Sequence, residues 1–358
     1  MAALHVASNG PVTAGEKSGI LGGMRQIVFA GSLLVDTVKT IPSWPERGML
    51  VPITGIKRAV GGSACNTSID LKTLDPSLDV RALGKVGRDD AGDFICSTLA
   101  AKGVDTSAVA RTDTATTFTD VMTLETTGER TFFNMHGADS TLKADDVEVG
   151  GLSCDIFHLG YLLILDALDL PDPEYGTQAA RLLARVQAAG IKTSLDLVSE
   201  KSARVPRIVR PALRHCDYLI VNEVEGEQVT GIPCRDAKGR LSPEALGRIA
   251  EALFALGVRR KVVLHSPEMG LARDAEGHVA AVPSLDLPPA WIKGAVGAGD
   301  AFCAGMLHAI MTDRPDDEGL RLASCAAAAN LAAPDSVSGA LPLAATLALE
   351  ERFGRRKA

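Results

Sequence analysis

The feature that most restricts the fold of this sequence is a regular alternation of short apolar runs with longer amphipathic stretches. The apolar runs predict strands, and stretches with apolar residues three or four positions apart predict helices. The predicted strands cover residues 27–30, 80–83, 155–159, 193–197, 218–221 and 261–264. The predicted helices cover residues 66–74, 90–102, 177–189, 243–256 and 320–333, and another follows Gly299. This alternation predicts an α/β protein whose mostly parallel sheet carries helices on both faces.

Two segments, 37–60 and 112–134, interrupt this rhythm. Residues 116–124 alternate apolar and polar side chains, and residues 129–133 follow a hairpin-like turn at Thr127-Gly128. Both segments therefore predict strands of a small second sheet inserted into the main domain. The candidates for its buried side are Phe118, Val121, Met122, Phe132 and Phe133.

Composition restricts the class of protein. The chain has 358 residues, of which 46% are hydrophobic, and a formal net charge of −7. No basic block stands out, which argues against a nucleic acid or an anionic membrane as partner. The seven cysteines are scattered without a CxxC pair, so we expect neither a disulfide framework nor a zinc site, and a cytoplasmic location fits. No apolar run is long enough to span a bilayer.

The first 23 residues are rich in Gly, Ala and Ser and lack a continuous apolar stretch. They do not have the pattern of a signal peptide. We interpret residues 1–23 as a flexible N-terminal extension and residues 24–358 as the folded domain.

The strongest chemical signal is the run Val-Gly-Ala-Gly-Asp-Ala-Phe at residues 296–302, which leads into a helix. A glycine turn at a helix start directs backbone N–H groups at an anion, so Gly297, Ala298 and Gly299 are candidates for an anion hole. A carboxylate at the same place is unfavourable toward a phosphate unless it accepts a proton. Asp300 is therefore a candidate general base for phosphoryl transfer. The alternative is a simple turn in which Asp300 caps its helix.

Three other segments add to this signal. Residues 61–66 combine a Gly-Gly turn with an Asn at a helix start, residues 84–92 are a Gly-rich stretch before a helix, and residues 222–225 read Asn-Glu-Val-Glu directly after a strand. In this order, and together with residues 296–302, these segments resemble the ribokinase/PfkB family of sugar and nucleoside kinases. The resemblance covers about residues 25–343.

The resemblance implies a doubly wound, ribokinase-like α/β domain with a small β-sheet lid, and it implies that Asp300 is the catalytic base. The amides of Ala298, Gly299 and Asp300 then form the anion hole for the transferred phosphoryl group. The residues that match the family's substrate-binding positions are Asp36, Gly61, Gly62 and Asn66. From the local sequence alone, Asp36 is equally well a surface turn residue and Asn66 a helix N-cap.

ATP and Mg²⁺ are the cofactors that the resemblance implies. Asn222 and Glu225 match a motif near the nucleotide phosphates and the metal, with Glu225 acting through water. Their position after a strand supports this, because ligands of open α/β sheets gather at the carboxyl ends of strands; the alternative is a solvated acidic turn. The remaining candidates for nucleotide contacts are Ser266, Gly270 and Asn330, although Asn330 also fits an ordinary helix position.

The sequence also departs from the family. Gly294 and Ala295 occupy positions where many members have an Asp-Thr pair, and in cation-activated relatives that Asp belongs to a potassium site. Ser63 replaces a Lys of ribose-specific members, which makes ribose a weak expectation.

The leading hypothesis is therefore a kinase for a sugar or sugar-like alcohol, and a homodimer joined through the lids is expected. A nucleoside kinase of the same fold, or a ligand-binding relative that has lost catalysis, remains an alternative. A Rossmann oxidoreductase is disfavoured because the glycines around residue 300 do not fit G-x-G-x-x-G and lie near the C terminus.

Overall fold

The computed structural model describes residues 25–357, so the extension expected at residues 1–23 lies outside the described part of the chain. Its first half contains β1 (Gln26–Gly31), β2 (Leu34–Ile41), β3 (Gly55–Gly61), α1 (Ser63–Leu74), β4 (Asp79–Gly87), α2 (Asp90–Ala101), β5 (Asp105–Thr112), β6 (Phe118–Leu124), β7 (Arg130–Met135), β8 (Ile156–Leu162), α3 (Asp166–Asp169), β9 (Pro171–Asp172) and β10 (Gly176–Thr177). Its second half contains α4 (Gln178–Ala188), β11 (Lys192–Leu197), α5 (Val205–Leu213), β12 (Tyr218–Asn222), α6 (Glu223–Thr230), α7 (Pro243–Ala255), β13 (Lys261–His265), β14 (Met269–Asp274), β15 (Val279–Pro283), α8 (Ala298–Met311), α9 (Asp316–Asn330) and α10 (Leu343–Phe353). Within residues 25–357, no helix has the length and apolar character needed to cross a membrane.

Nine strands form the main sheet, in the order β15-β14-β13-β12-β11-β8-β1-β4-β5. All pairs from β13 to β5 are parallel, whereas β14 and β15 add an antiparallel edge. This sheet, with its helices and a small separate sheet, confirms the predicted fold class.

The packing of the main sheet explains why its strands could be predicted from the sequence. Along β1, Ile27 and Phe29 belong to the core cluster on one face of the sheet, which α1, α2, α8 and α9 cover. Val28 and Ala30 belong to the cluster on the other face, beneath α4, α5 and α7. Because successive side chains of a strand point to opposite faces, a sheet covered on both sides needs continuous apolar runs.

Several elements were missed by the sequence analysis, namely β5, β14, β15, α5, α6 and α10. Strand β5 lies at the edge of the sheet and has no fully buried residue, so its sequence carries no apolar run. In α5, Pro206 and Pro211 interrupt the helical pattern.

The small sheet, called the lid below, consists of the four strands β3-β2-β6-β7. β2 pairs in parallel with β6, and each of these two strands carries an antiparallel neighbour. The lid begins at Leu34, before the predicted start at residue 37. Thr112, the predicted start of the second lid segment, instead ends β5 of the main sheet.

The prediction for the buried side of the lid was largely wrong. Val121 is buried, but Phe118, Phe132 and Phe133 are 37%, 55% and 52% exposed. Phe132 and Phe133 are also neighbours in one strand, so they point to opposite faces. The face carrying Phe132 is turned toward the cavity described next.

Candidate active site

Two adjoining cavities lie where the carboxyl ends of β8, β11, β12 and β13 meet the start of α8. The first has a volume of about 580 Å³ and reaches from these strand ends to the lid. The second, of about 480 Å³, lies between β13 and helices α8 and α9. Asn222, His265 and Gly299 line both cavities. An open α/β sheet binds ligands at this edge. For the roles that are proposed for them further below, the first is called the acceptor cavity and the second the nucleotide cavity.

The start of α8 depends on Gly297. This residue caps the helix in the left-handed conformation, with φ of 81°, and a Cβ atom here would collide with the carbonyl oxygen of Ser336. The first helical backbone bond runs from the Ala301 amide to the Gly297 carbonyl, at 2.9 Å. The amides of Ala298, Gly299 and Asp300 therefore stay outside the helical ladder at the junction of the two cavities, where an anion would be bound.

Asp300 is 4% exposed and lies at the bottom of the acceptor cavity. Its Oδ2 accepts hydrogen bonds from Asn66 Nδ2 and from the Tyr161 hydroxyl, each at 2.9 Å. Burial, reinforced by the nearby Asp196 carboxylate, raises the pKa of Asp300 to about 7, and the two hydrogen bonds oppose this rise. A carboxyl group that titrates near neutral pH suits proton transfer.

Asp36 enters the acceptor cavity from β2 of the lid. A Cβ atom at Gly61 would collide with its carboxylate, and one at Gly62, whose φ is 86°, would collide with the Ser32 carbonyl. The Gly-Gly turn therefore leaves room for the Asp36 side chain. Burial raises the pKa of Asp36 to about 6, although a hydrogen bond from Thr119 and the charge of Arg130 lower it.

Asn222 and Glu225 form a reciprocal cap at the start of α6. The Asn222 side chain accepts from the Glu225 amide, while the Glu225 carboxylate accepts from the Asn222 amide, the Asn222 side chain and the Ser199 hydroxyl, at 2.8–2.9 Å. Both residues line the acceptor cavity. Burial raises the pKa of Glu225 to about 8.

The nucleotide cavity has an apolar wall, to which Phe302, Ala327, Ala328 and Leu331 contribute. Ser266, one of the candidates for a nucleotide contact, lines this cavity, and its hydroxyl accepts from the amides of Glu268 and Met269. His265 stacks on Phe302 with ring centroids 4.6 Å apart.

Two predicted nucleotide contacts lie elsewhere. Gly270 is buried in β14, where a Cβ atom would press against Leu320 and Phe302, so it permits close packing of α8 and α9 on the sheet. Asn330 is fully buried and donates to the Ser336 carbonyl. Because Ser336 packs against Gly297, Asn330 supports the turn before α8 rather than lining the cavity.

Sequence reasoning missed two residues of this site. Asp196 lies at the end of β11 and accepts from the Ser63 hydroxyl at 2.8 Å and from the Tyr161 amide at 2.7 Å. Its position, a carboxylate in the last two residues of a buried strand, was the available signal. Tyr161 had no such signal, because its contact with Asp300 joins residues far apart in sequence.

The fold, together with the site at the carboxyl ends of the main-sheet strands, defines a kinase of the ribokinase-like class. A model of the pfkB family of carbohydrate kinases matches residues 24–342. The chain belongs to this family and is a phosphotransferase with an alcohol group as acceptor.

Individual relatives agree with this assignment. The chain is 24% identical to a ribokinase of Schizosaccharomyces pombe over 306 residues, which are 84% of this chain and 90% of that protein. It is 26% identical to a probable fructokinase-7 of Arabidopsis thaliana over 331 residues, 88% of each chain. The solved structure of Arabidopsis thaliana ribokinase complexed with ribose and ATP superimposes with a TM-score of 0.74, at 20% identity over 91% of this chain and 99% of that one.

Proposed function

We propose that this kinase transfers the γ-phosphoryl group of ATP to a hydroxyl of an uncharged sugar or sugar-like alcohol, with Asp300 as general base. The observation that carries the proposal is the geometry of Asp300. Both of its side-chain hydrogen bonds fall on Oδ2, and among the described residues none donates to Oδ1. That oxygen is available to an acceptor hydroxyl in the cavity, beside the free amides at the start of α8.

In this mechanism Asp300 accepts the proton of the attacking hydroxyl. The amides of Ala298, Gly299 and Asp300 stabilise the negative charge that develops on the transferred phosphoryl group. Asp36 and Asn66 orient the acceptor at the lid and at the start of α1. The lid would exclude water from the cavity and so limit hydrolysis of ATP.

Glu225 is the residue that would hold Mg²⁺, through water, beside the nucleotide phosphates. When bound, it would neutralise charge on them. Glu225 already accepts three hydrogen bonds from Asn222 and Ser199, out of about four lone-pair positions of a carboxylate. This arrangement supports contact through a metal-bound water, since Mg²⁺ usually keeps several waters.

The charge of the acceptor cavity narrows the range of possible substrates. The ionisable side chains of its lining are Asp36, His136, Tyr161, Asp196, Glu225, His265, Asp300 and Cys303, and the described lining contains neither Lys nor Arg. A phosphorylated acceptor would meet carboxylates without a basic partner, which is unfavourable. This favours an unphosphorylated acceptor. Phe132 and Tyr161 also line the cavity and offer aromatic surface to a sugar face or a nucleobase, so nucleosides remain the second candidate.

The deciding experiment measures acceptor-dependent ATP consumption over a panel of sugars, sugar phosphates and nucleosides, with wild type and Asp300→Asn. We expect turnover with an unphosphorylated acceptor and a loss of kcat of roughly 100-fold or more in the variant. Asp70→Asn is the matched control. Asp70 is a buried carboxyl on α1 outside the lining of the acceptor cavity, so its replacement by an amide of nearly the same shape should leave kcat close to that of wild type. An Asp300→Asn enzyme with near-wild-type kcat on its true acceptor would refute the assignment of Asp300 as the general base.

Exposed apolar side chains on the lid support a homodimer. Trp44, Ile56 and Phe133 are 45%, 63% and 52% exposed, and a small sheet needs cover for such a surface. Sedimentation at micromolar concentration tests this proposal. We expect a dimer that Phe133→Ser weakens, and a monomeric wild type would contradict the proposal.

The seven cysteines are free thiols, which supports a reducing compartment such as the cytoplasm.

A further inference from the structure

Tyr161 lies near the end of β8, and its hydroxyl donates to Asp300 Oδ2 at 2.9 Å. We propose that Tyr161 is a positioning residue for the base: its phenol holds Oδ2, so that Oδ1 faces the acceptor hydroxyl. This inference rests on the proposed role of Asp300.

The backbone at this point is strained. Tyr161 has a φ of 63° and Leu163 a φ of 87°, in the left-handed region that side chains other than glycine seldom adopt. Such strain persists only where surrounding contacts enforce it, and it is concentrated at functional sites. Tyr161 is therefore held in an unfavourable conformation by the rest of the fold.

Three hydrogen bonds enforce this conformation. The Tyr161 amide donates to Asp196 Oδ1 at 2.7 Å, and the Leu163 amide donates to Asp169 Oδ1 at 3.2 Å. The guanidinium of Arg204 donates to the Leu163 carbonyl. The strained turn is thus fixed on both sides, by side chains from β11, α3 and the start of α5.

The strain has a geometric effect. Phe157 and Leu159 of β8 point into the core cluster under α4, α5 and α7, and in a regular strand Tyr161 would point the same way. Asp300 lies on the other side, at the start of α8, whose residues belong to the opposite cluster. The left-handed backbone of Tyr161 breaks the alternation and directs the phenol toward Asp300.

The ionisable groups around Asp300 explain why its hydrogen bond with Tyr161 matters for its ionisation. The titratable side chains near it are Asp36 of the lid, Asp70 of α1, Tyr161, Asp196 of β11, His265 of β13 and Cys303 of α8. Asp196 and Asp36 raise its pKa, and burial keeps His265 uncharged by lowering its pKa to about 4. Among the described residues, Asn66 and Tyr161 supply the side-chain hydrogen bonds that favour the ionised carboxylate.

The first test is Tyr161→Phe, which keeps the ring and the amide bond to Asp196 and removes only the phenol. We expect the acid limb of the kcat profile to move to higher pH by about one unit, the effect of one hydrogen bond to a charged group. At pH 7, where the ionised fraction of Asp300 falls from about one half to about one tenth, kcat should fall roughly fivefold while the KM for ATP stays nearly constant. Tyr218→Phe is the matched control, because Tyr218 lies at the opposite end of β12 from Asn222; its profile should match wild type.

A second variant replaces Tyr161 with 3-fluorotyrosine, which preserves the fold and makes the phenol a stronger donor. The acid limb should then move to lower pH, opposite to the change in Tyr161→Phe. An unchanged limb in both variants, while Asp300→Asn is inactive, would overturn the role of Tyr161 and leave the base intact. Near-wild-type activity of Asp300→Asn would instead overturn the proposed function, and the role of Tyr161 with it.

Discussion

Asn66, in the first turn of α1, donates a 2.9 Å hydrogen bond to Asp300, in the first turn of α8, across 234 positions of sequence. The predicted substrate-binding turn and the predicted base are therefore joined directly. Two helices that begin at the same cavity place an amide and a carboxyl side by side, both buried. The arrangement explains why two short motifs far apart in the chain belong to one site.

The pH dependence of turnover follows from the state of Asp300. Its pKa is raised to about 7 by burial and by Asp196, and only the ionised form accepts a proton. We expect kcat to fall as the pH decreases below about 7, with a slope of one proton. Measurement of kcat at saturating MgATP and acceptor across this range checks the prediction. A rate that stays constant well below pH 6 would contradict a base with this pKa.

The stability of the folded protein should decrease as the pH rises, whereas kcat should increase. Asp36, Asp300 and Glu225 have folded-state pKa values of about 6, 7 and 8, above those of the unfolded chain. A raised pKa contributes stability that is fully present below the unfolded value and is lost as the pH rises through the folded value. The melting temperature of the ligand-free protein should therefore decrease as the pH rises from about 4, the unfolded value, to about 8, the highest of the folded values. Asp300→Asn should reduce this decrease and melt higher than wild type at the upper limit; a variant that melts lower would contradict the linkage.

The metal requirement is tested at Glu225. Glu225→Gln keeps the cap of α6, since Gln serves in the same motif, but unlike Glu it cannot ionise when a metal binds. We expect turnover to require Mg²⁺ or Mn²⁺, and the variant to need a higher metal concentration for half-maximal rate. Glu227→Gln, on the same helix and bonded to the Cys234 amide, is the control. The same metal dependence in Glu225→Gln and wild type would remove Glu225 from the site.

Potassium should have little effect on the rate. Gly294 supplies no carboxylate, and the carbonyl oxygen of Ala333 packs so closely that a side chain has no room there. The test replaces K⁺ by tetramethylammonium at constant ionic strength. Strong activation that is specific to K⁺ would show that backbone carbonyls or another carboxylate build a cation site without Gly294.

The lid prediction concerns hydrogen exchange. The lid strands β6 and β7 carry Thr119, Phe132 and Asn134, which line the acceptor cavity, and Arg130 donates to the Pro334 carbonyl at 2.7 Å. A bound acceptor should therefore slow amide exchange in β6 and β7 more than in α9. Exchange mass spectrometry with and without the acceptor measures this. Equal protection of both regions would show that these strands do not close over the substrate.

The local sequence determined the elements whose signals are local. The alternation of apolar runs and amphipathic stretches predicted most strands and helices of the main sheet, because a sheet buried on both faces requires it. The glycine turn before Asp300 predicted a helix start with free amides. This signal is local because position 297 requires a glycine: its φ is left-handed, and its contact with Ser336 leaves no room for a side chain.

Tertiary structure decided everything that depends on which elements meet. The exposed phenylalanines of the lid could not be assigned to a face from composition, since register fixes the face and register depends on pairing partners. Gly270 and Asn330 proved to support packing, although their sequence context resembles that of nucleotide contacts. Tyr161 reaches Asp300 only because Asp196, Asp169 and Arg204, from three other elements, hold its backbone in a conformation that no local pattern specifies.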